Sequence, residues 1–133
     1  MDQWIVLLAA HDAAIRRLLT IMLQKAHFRV VAASNADEAL YLVRNQERID
    51  FLLTDVNMGG SVTGIGLAER VRHENPETKV LLMSGRPESL DLAAERGSPI
   101  ASKPFVPTVL VQRIREMLAE IPAQHLKNEK MMG

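Results

Sequence analysis

The chain has 133 residues, 47% of them apolar, which is enough to bury one hydrophobic core, and one domain is expected. Sixteen basic residues balance sixteen acidic ones, so no overall field points to nucleic acid or to an anionic membrane. With no cysteine, disulfides, thiolate metal sites and a cysteine nucleophile are excluded; no signal-peptide pattern or run of about 18 apolar residues is present, and a cytoplasmic protein is expected.

Trp4 to Ala9 is a continuous apolar run of strand length, as expected for a strand covered on both faces. Asp12 can cap the helix that follows, in which Ile15, Leu18, Leu19, Met22 and Leu23 recur at helical spacing while Arg16 and Arg17 face away. Phe28 to Ala33 reads as a second strand. Ser34 with Asp37 three residues on resembles a capping box ahead of the stripe Ala36, Ala39, Leu40 and Val43. Phe51 to Leu53 is a short buried strand that ends on a carboxylate, Asp55, before a glycine-bearing loop and a helix from about Gly64 to His73, ended by Asn75-Pro76.

Val80 to Met83 is a fourth strand closing on Ser84-Gly85, and a weaker helix over Pro87 to Arg96 stops at Gly97. Ile100 to Ser102 allows only a short fifth strand, with Pro99 at its first position. A last amphipathic helix from Pro107 to about Glu120 shows Val109, Leu110, Ile114, Met117 and Leu118, and residues 122–133 form a polar tail behind a domain over 1–121. This alternation predicts an α/β fold, a parallel sheet with helices on both faces in the flavodoxin-like order 2-1-3-4-5.

In that order the C-terminal ends of the strands carry the Ala10-His11-Asp12 turn, Asp55, Ser84 and Lys103 in one crevice. A carboxylate there can be a solvated cap, a metal ligand or a nucleophile toward phosphorus; Lys103 and Ser84 supply charge and a hydroxyl donor for a phosphoryl group.

Taken together and in order, Thr54-Asp55 with Met58-Gly59, Ser84-Gly85 and Lys103-Pro104-Phe105 make residues 4 to 120 resemble a two-component response-regulator receiver domain. The resemblance implies that Asp55 accepts a phosphoryl group from a histidine kinase or phosphotransfer protein, and that Ser84 and Lys103 contact the phosphoryl oxygens. It also implies a cis Lys103-Pro104 bond, and a Mg²⁺ ion held by Asp55 and the backbone carbonyl of Asn57.

The chain departs from that pattern where the family carries two adjacent acids after strand 1. Those positions are Ala10 and His11 here, with Asp12 one residue late. Alanine cannot coordinate and imidazole suits transition metals, so Asp12 is the candidate third ligand and weakened Mg²⁺ binding is expected. Gly59 replaces the usual loop proline, and Ile100 the aromatic that swings when Ser/Thr engages phosphate.

The expected function is a stand-alone, non-enzymatic receiver that signals to a separate protein through the face spanning roughly Pro87 to Glu120, with a homodimer as a further option. A pseudo-receiver that binds proteins without phosphorylation is the alternative. A phosphohydrolase with an aspartate nucleophile is disfavoured, because such enzymes usually have a second acid where Asn57 stands.

Overall fold

The computed structural model describes residues 3–45, 48–58, 62–84, 100–102 (backbone only), 106 and 108–119. Five parallel strands, β1 (Ile5–Ala9), β2 (Arg29–Ala33), β3 (Phe51–Asp55), β4 (Lys79–Ser84) and β5 (Ile100–Ser102), form one sheet in the order β2-β1-β3-β4-β5. This is the flavodoxin-like order that the alternation of strand and helix predicts. Four described helices accompany it: α1 (Ala13–Lys25), α2 (Ala36–Asn45), α3 (Gly64–Glu74) and α4 (108–119). The weak helix expected over Pro87 to Arg96, Lys103-Pro104-Phe105 and the tail from 120 lie outside the described residues.

The period-2 alternation of strand side chains divides the core in two. Leu7, Leu52 and Leu82 pack on one face with Leu40 of α2 and Leu67 of α3. Val6, Phe51, Leu53 and Leu81 pack on the other with Leu19 and Leu23 of α1 and Leu110, Ile114 and Leu118 of α4. Every residue of β3 is buried, as its unbroken apolar run requires.

Three local readings are corrected. The cap of α2 is Asn35, one residue beyond the expected Ser34. The Glu38 N–H donates to Asn35 Oδ1 at 2.8 Å, and the Ser34 hydroxyl meets the Glu38 carboxylate at 3.1 Å. Leu18 and Val109, taken as core, are 52% and 64% exposed, because each stands one step around its helix from the stripe that Leu19 and Leu110 put inside. Arg16 does not face away: it is half-buried, and its guanidinium donates to the Ala10 carbonyl at 2.8 Å.

Helix α1 closes with a Schellman arrangement. The Phe28 N–H donates to the Leu23 carbonyl and the His27 N–H to the Gln24 carbonyl, both at 3.0 Å, while Phe28 and Leu23 share one core cluster. His27 pays for this turn with a left-handed backbone, φ 71°. Substituting His27→Gly removes the Cβ clash at an exposed position and is expected to raise stability by about 1 kcal/mol, read as a higher Tm in thermal denaturation.

Candidate functional site at the end of strand β3

Asp55 is the last residue of β3, and its side chain is held among neighbours from β1 and β4. The register pairs Ala9 with Thr54 on one side and Met83 with Asp55 on the other. The turn after β1 and the end of β4 therefore stand level with the carboxylate. Asp55 is 4% exposed, and its Oδ2 accepts the backbone N–H of His11 at 3.3 Å. Beneath it, the buried Thr54 hydroxyl donates to the Asp55 carbonyl at 3.0 Å and lies 3.7 Å from the Met58 sulfur.

Beyond Asp55 the backbone is gripped from two directions. The Val56 N–H donates to the Met83 carbonyl at 3.0 Å, and the Val56 carbonyl accepts the Gly64 N–H at 2.7 Å. Helix α3 thus begins directly over the end of β3, with Thr63 Oγ1 as its cap accepting the Gly66 N–H at 3.1 Å. A Cβ on Gly64 would stand 1.8 Å from the Asp55 carbonyl oxygen and 2.9 Å from Val56 Cα. Only glycine permits that approach.

Ser84 ends β4, is buried, and lies one residue past the Met83–Asp55 pairing. Asn57, two residues beyond Asp55, is exposed. Lys103 follows Ser102, the last residue of β5, in the chain and lies outside the described residues, as do Gly59 and the Lys103-Pro104 bond.

The turn after β1 shows what Ala10, His11 and Asp12 do. Ala10 is fully buried and its N–H donates to the Ala33 carbonyl at 3.1 Å. The His11 and Asp12 side chains are exposed. Asp12 caps α1, its Oδ1 accepting the Ile15 N–H at 3.0 Å from an extended backbone. Arg16 locks the turn from below, with one guanidinium nitrogen 2.8 Å from the Ala10 carbonyl and 3.4 Å from that of His11.

Three parts of this geometry escape the sequence reading. A donor to Asp55 is the backbone N–H of His11, which any residue but proline would supply. Arg16 reads as a solvated charge. Gly64 reads as an ordinary helix start, although a glycine nine residues after the strand-end acid is a signal that could have been used.

The fold and this strand-end carboxylate define a receiver module of two-component signalling. The sequence model of the family described as "Response regulator receiver domain" matches residues 6–115, and the chain belongs to that family. Among similar proteins, the response regulator receiver protein CpdR of Brucella abortus is 34% identical over 116 residues, spanning 85% of this chain and 95% of that protein. The alkaline phosphatase synthesis transcriptional regulatory protein PhoP of Bacillus subtilis is 28% identical, but only 55% of its length is covered. The CheY-like receiver of Methanospirillum hungatei shares the fold with a TM-score of 0.84 at 24% identity, covering 92% of this chain and 99% of that one. Chemotaxis response regulator CheY4 of Vibrio cholerae gives 0.77 at 27% identity, covering 86% and 98%.

Receiver domains generally hold Mg²⁺ at an acidic pocket. The described residues offer that ion few protein oxygens. Among the described residues no group of three or more His, Asp or Glu side chains is placed to hold a metal. Ala10 offers a methyl group, and Asp12 Oδ1 is engaged at the start of α1. Asp55 and the Asn57 carbonyl would be the protein oxygens for such an ion, whose remaining octahedral positions are commonly filled by water and phosphate oxygens.

Two substitutions test this construction. Gly64→Ala forces α3 off the end of β3 and is expected to cost about 3 kcal/mol in chemical denaturation. Asp12→Ala removes the α1 cap and is expected to cost about 1 kcal/mol by the same measurement.

Proposed function

We propose that the chain is a receiver that accepts a phosphoryl group on Asp55 from a histidine kinase or phosphotransfer protein and signals by contact with a separate protein. The observation that carries this reading is a single buried carboxylate at the C-terminal end of the central strand, held by a backbone N–H and level with Ser84. A carboxylate oxygen attacks phosphorus, the bond to the donor breaks, and a mixed anhydride forms on Asp55. Ser84 supplies a hydroxyl to the phosphoryl oxygens, and Lys103, matching the family's lysine in sequence, supplies charge. The same reading takes residues 1–121 as the receiver in the cytoplasm and 122–133 as a tail. Its output face spans roughly Pro87 to Glu120, where a homodimer would also form. Mg²⁺ affinity is lower than in receivers that keep the acid pair.

A second reading, a pseudo-receiver that binds its partner without phosphorylation, is favoured by the buried Ala10 at the first acid position. One experiment separates the two. Incubation with acetyl phosphate at saturating Mg²⁺ is expected to add one phosphoryl group by intact mass, with the gain lost in Asp55→Asn. An unmodified wild-type chain would leave the pseudo-receiver.

A further inference from the structure

We infer that Arg16 is a positioning residue for phosphoryl uptake, an inference that rests on Asp55 being the phosphoacceptor. Arg16 holds the peptide unit between Ala10 and His11 so that the N–H of that unit meets Asp55. One planar peptide carries both contacts. Its carbonyl, that of Ala10, accepts a hydrogen bond from Arg16 Nη1 at 2.8 Å, and its N–H, that of His11, donates to Asp55 Oδ2 at 3.3 Å. In a trans peptide these two groups point in opposite directions and turn only as one body, so fixing the carbonyl aims the N–H. The turn is anchored on either side by backbone alone. The Ala10 N–H donates to the Ala33 carbonyl of β2 at 3.1 Å, and the Arg16 N–H to the Asp12 carbonyl at 2.9 Å. Between these anchors stand the two carbonyls that the Arg16 side chain secures, those of Ala10 and His11.

Without the guanidinium, both carbonyls lose a charged donor, and the peptide can rotate about the bonds on either side of it. Such a rotation takes the N–H away from Asp55 and brings the carbonyl oxygen toward a carboxylate, which repels it. The charged donor acts in a second way. Drawing electron density onto the Ala10 oxygen polarises the peptide and strengthens the hydrogen bond that its N–H gives. Asp55 is 4% exposed, so its orientation is set by such partners rather than by water. In the transfer step a carboxylate oxygen must meet phosphorus in line with the bond that breaks. With acetyl phosphate as donor, the new bond runs from that oxygen to phosphorus, and the electron pair of the broken bond leaves with acetate. A carboxylate free to turn reaches that alignment less often. The role assigned to Arg16 runs through the peptide and needs no contact with the phosphoryl group.

The test compares the full chain with Arg16→Ala and Arg16→Lys, labelled by acetyl phosphate at saturating Mg²⁺ and followed by intact mass. Alanine suits a helix, and the Asp12 cap and the backbone N–H of residue 16 remain, so α1 is expected to form in both variants. Arg16→Ala is expected to label about tenfold more slowly. Arg16→Lys keeps a charged donor at the same place and is expected to recover most of that loss. The direct readout is the His11 amide proton in proton–nitrogen NMR spectra, expected to move upfield in Arg16→Ala as its hydrogen bond to Asp55 weakens. An unchanged rate in Arg16→Ala, or a slower rate with the His11 amide unmoved, overturns the inference and leaves the proposed function standing. A lysine variant as slow as the alanine one overturns it too. No labelling of the wild type removes both. Should Arg16→Ala fail to fold, Arg16→Gln, which keeps a polar stem without the charge, carries the same comparison.

Discussion

The close passage of α3 over the end of β3 is the constraint on which the site depends. Gly64 lies so near the Asp55 carbonyl that no side chain fits between them, and its N–H donates to the next carbonyl, that of Val56. Val56 in turn hydrogen-bonds to β4 through Met83. The strand therefore cannot slide or roll at its C-terminal end without moving a helix on one side and a strand on the other. With β3 buried on both faces, the direction in which the Asp55 side chain leaves the backbone is set by packing rather than by solvent. A reacting carboxylate benefits from that rigidity, since a fixed geometry spares the orienting cost at each encounter.

The turn after β1 is held through its backbone. Arg16 binds two of its carbonyls, Ala10 extends the pairing toward β2 through Ala33, and His11 turns its N–H onto Asp55. These contacts ask little of the side chains at positions 10 and 11. A turn held in this way keeps its shape whatever side chains stand at those two positions.

The parts of this architecture that are legible in the sequence are those with strong periodicity. The apolar runs of β1 and β3 and the spacing in α1 and α3 give the elements and their order, because burial on one or two faces writes a repeat into the chain. What is lost is set by contacts between distant segments. Leu18 and Val109 are apolar yet exposed, since the width of a helix stripe depends on what packs against it. The α2 cap is misplaced by one residue because Ser34 and Asn35 are both good caps, and only the path of the chain leaving β2 selects Asn35. Asp55 and Ser84 are readable as strand-end residues, but the His11 N–H and the Gly64 approach leave no distinctive residue pattern. His27 is harder still: a histidine with positive φ follows from the way α1 hands over to β2, and not from any preference of histidine itself.

A receiver changes its partner's affinity only if the added phosphoryl group interacts differently with two arrangements of the domain. The group on β4 nearest to do so is Ser84, which is buried and pairs in register with Ser102 of β5. With Ile100 opening β5, no large ring at that position can report on the pocket by swinging between two sites. Under the proposed function, a pull on the Ser84 hydroxyl must then be passed on through the backbone, from the end of β4 to the short β5 beside it. Among the described residues β5 has three, against five in β3, so a small displacement at Ser84 would meet less resistance there than at the Val56–Met83 link on the β3 side.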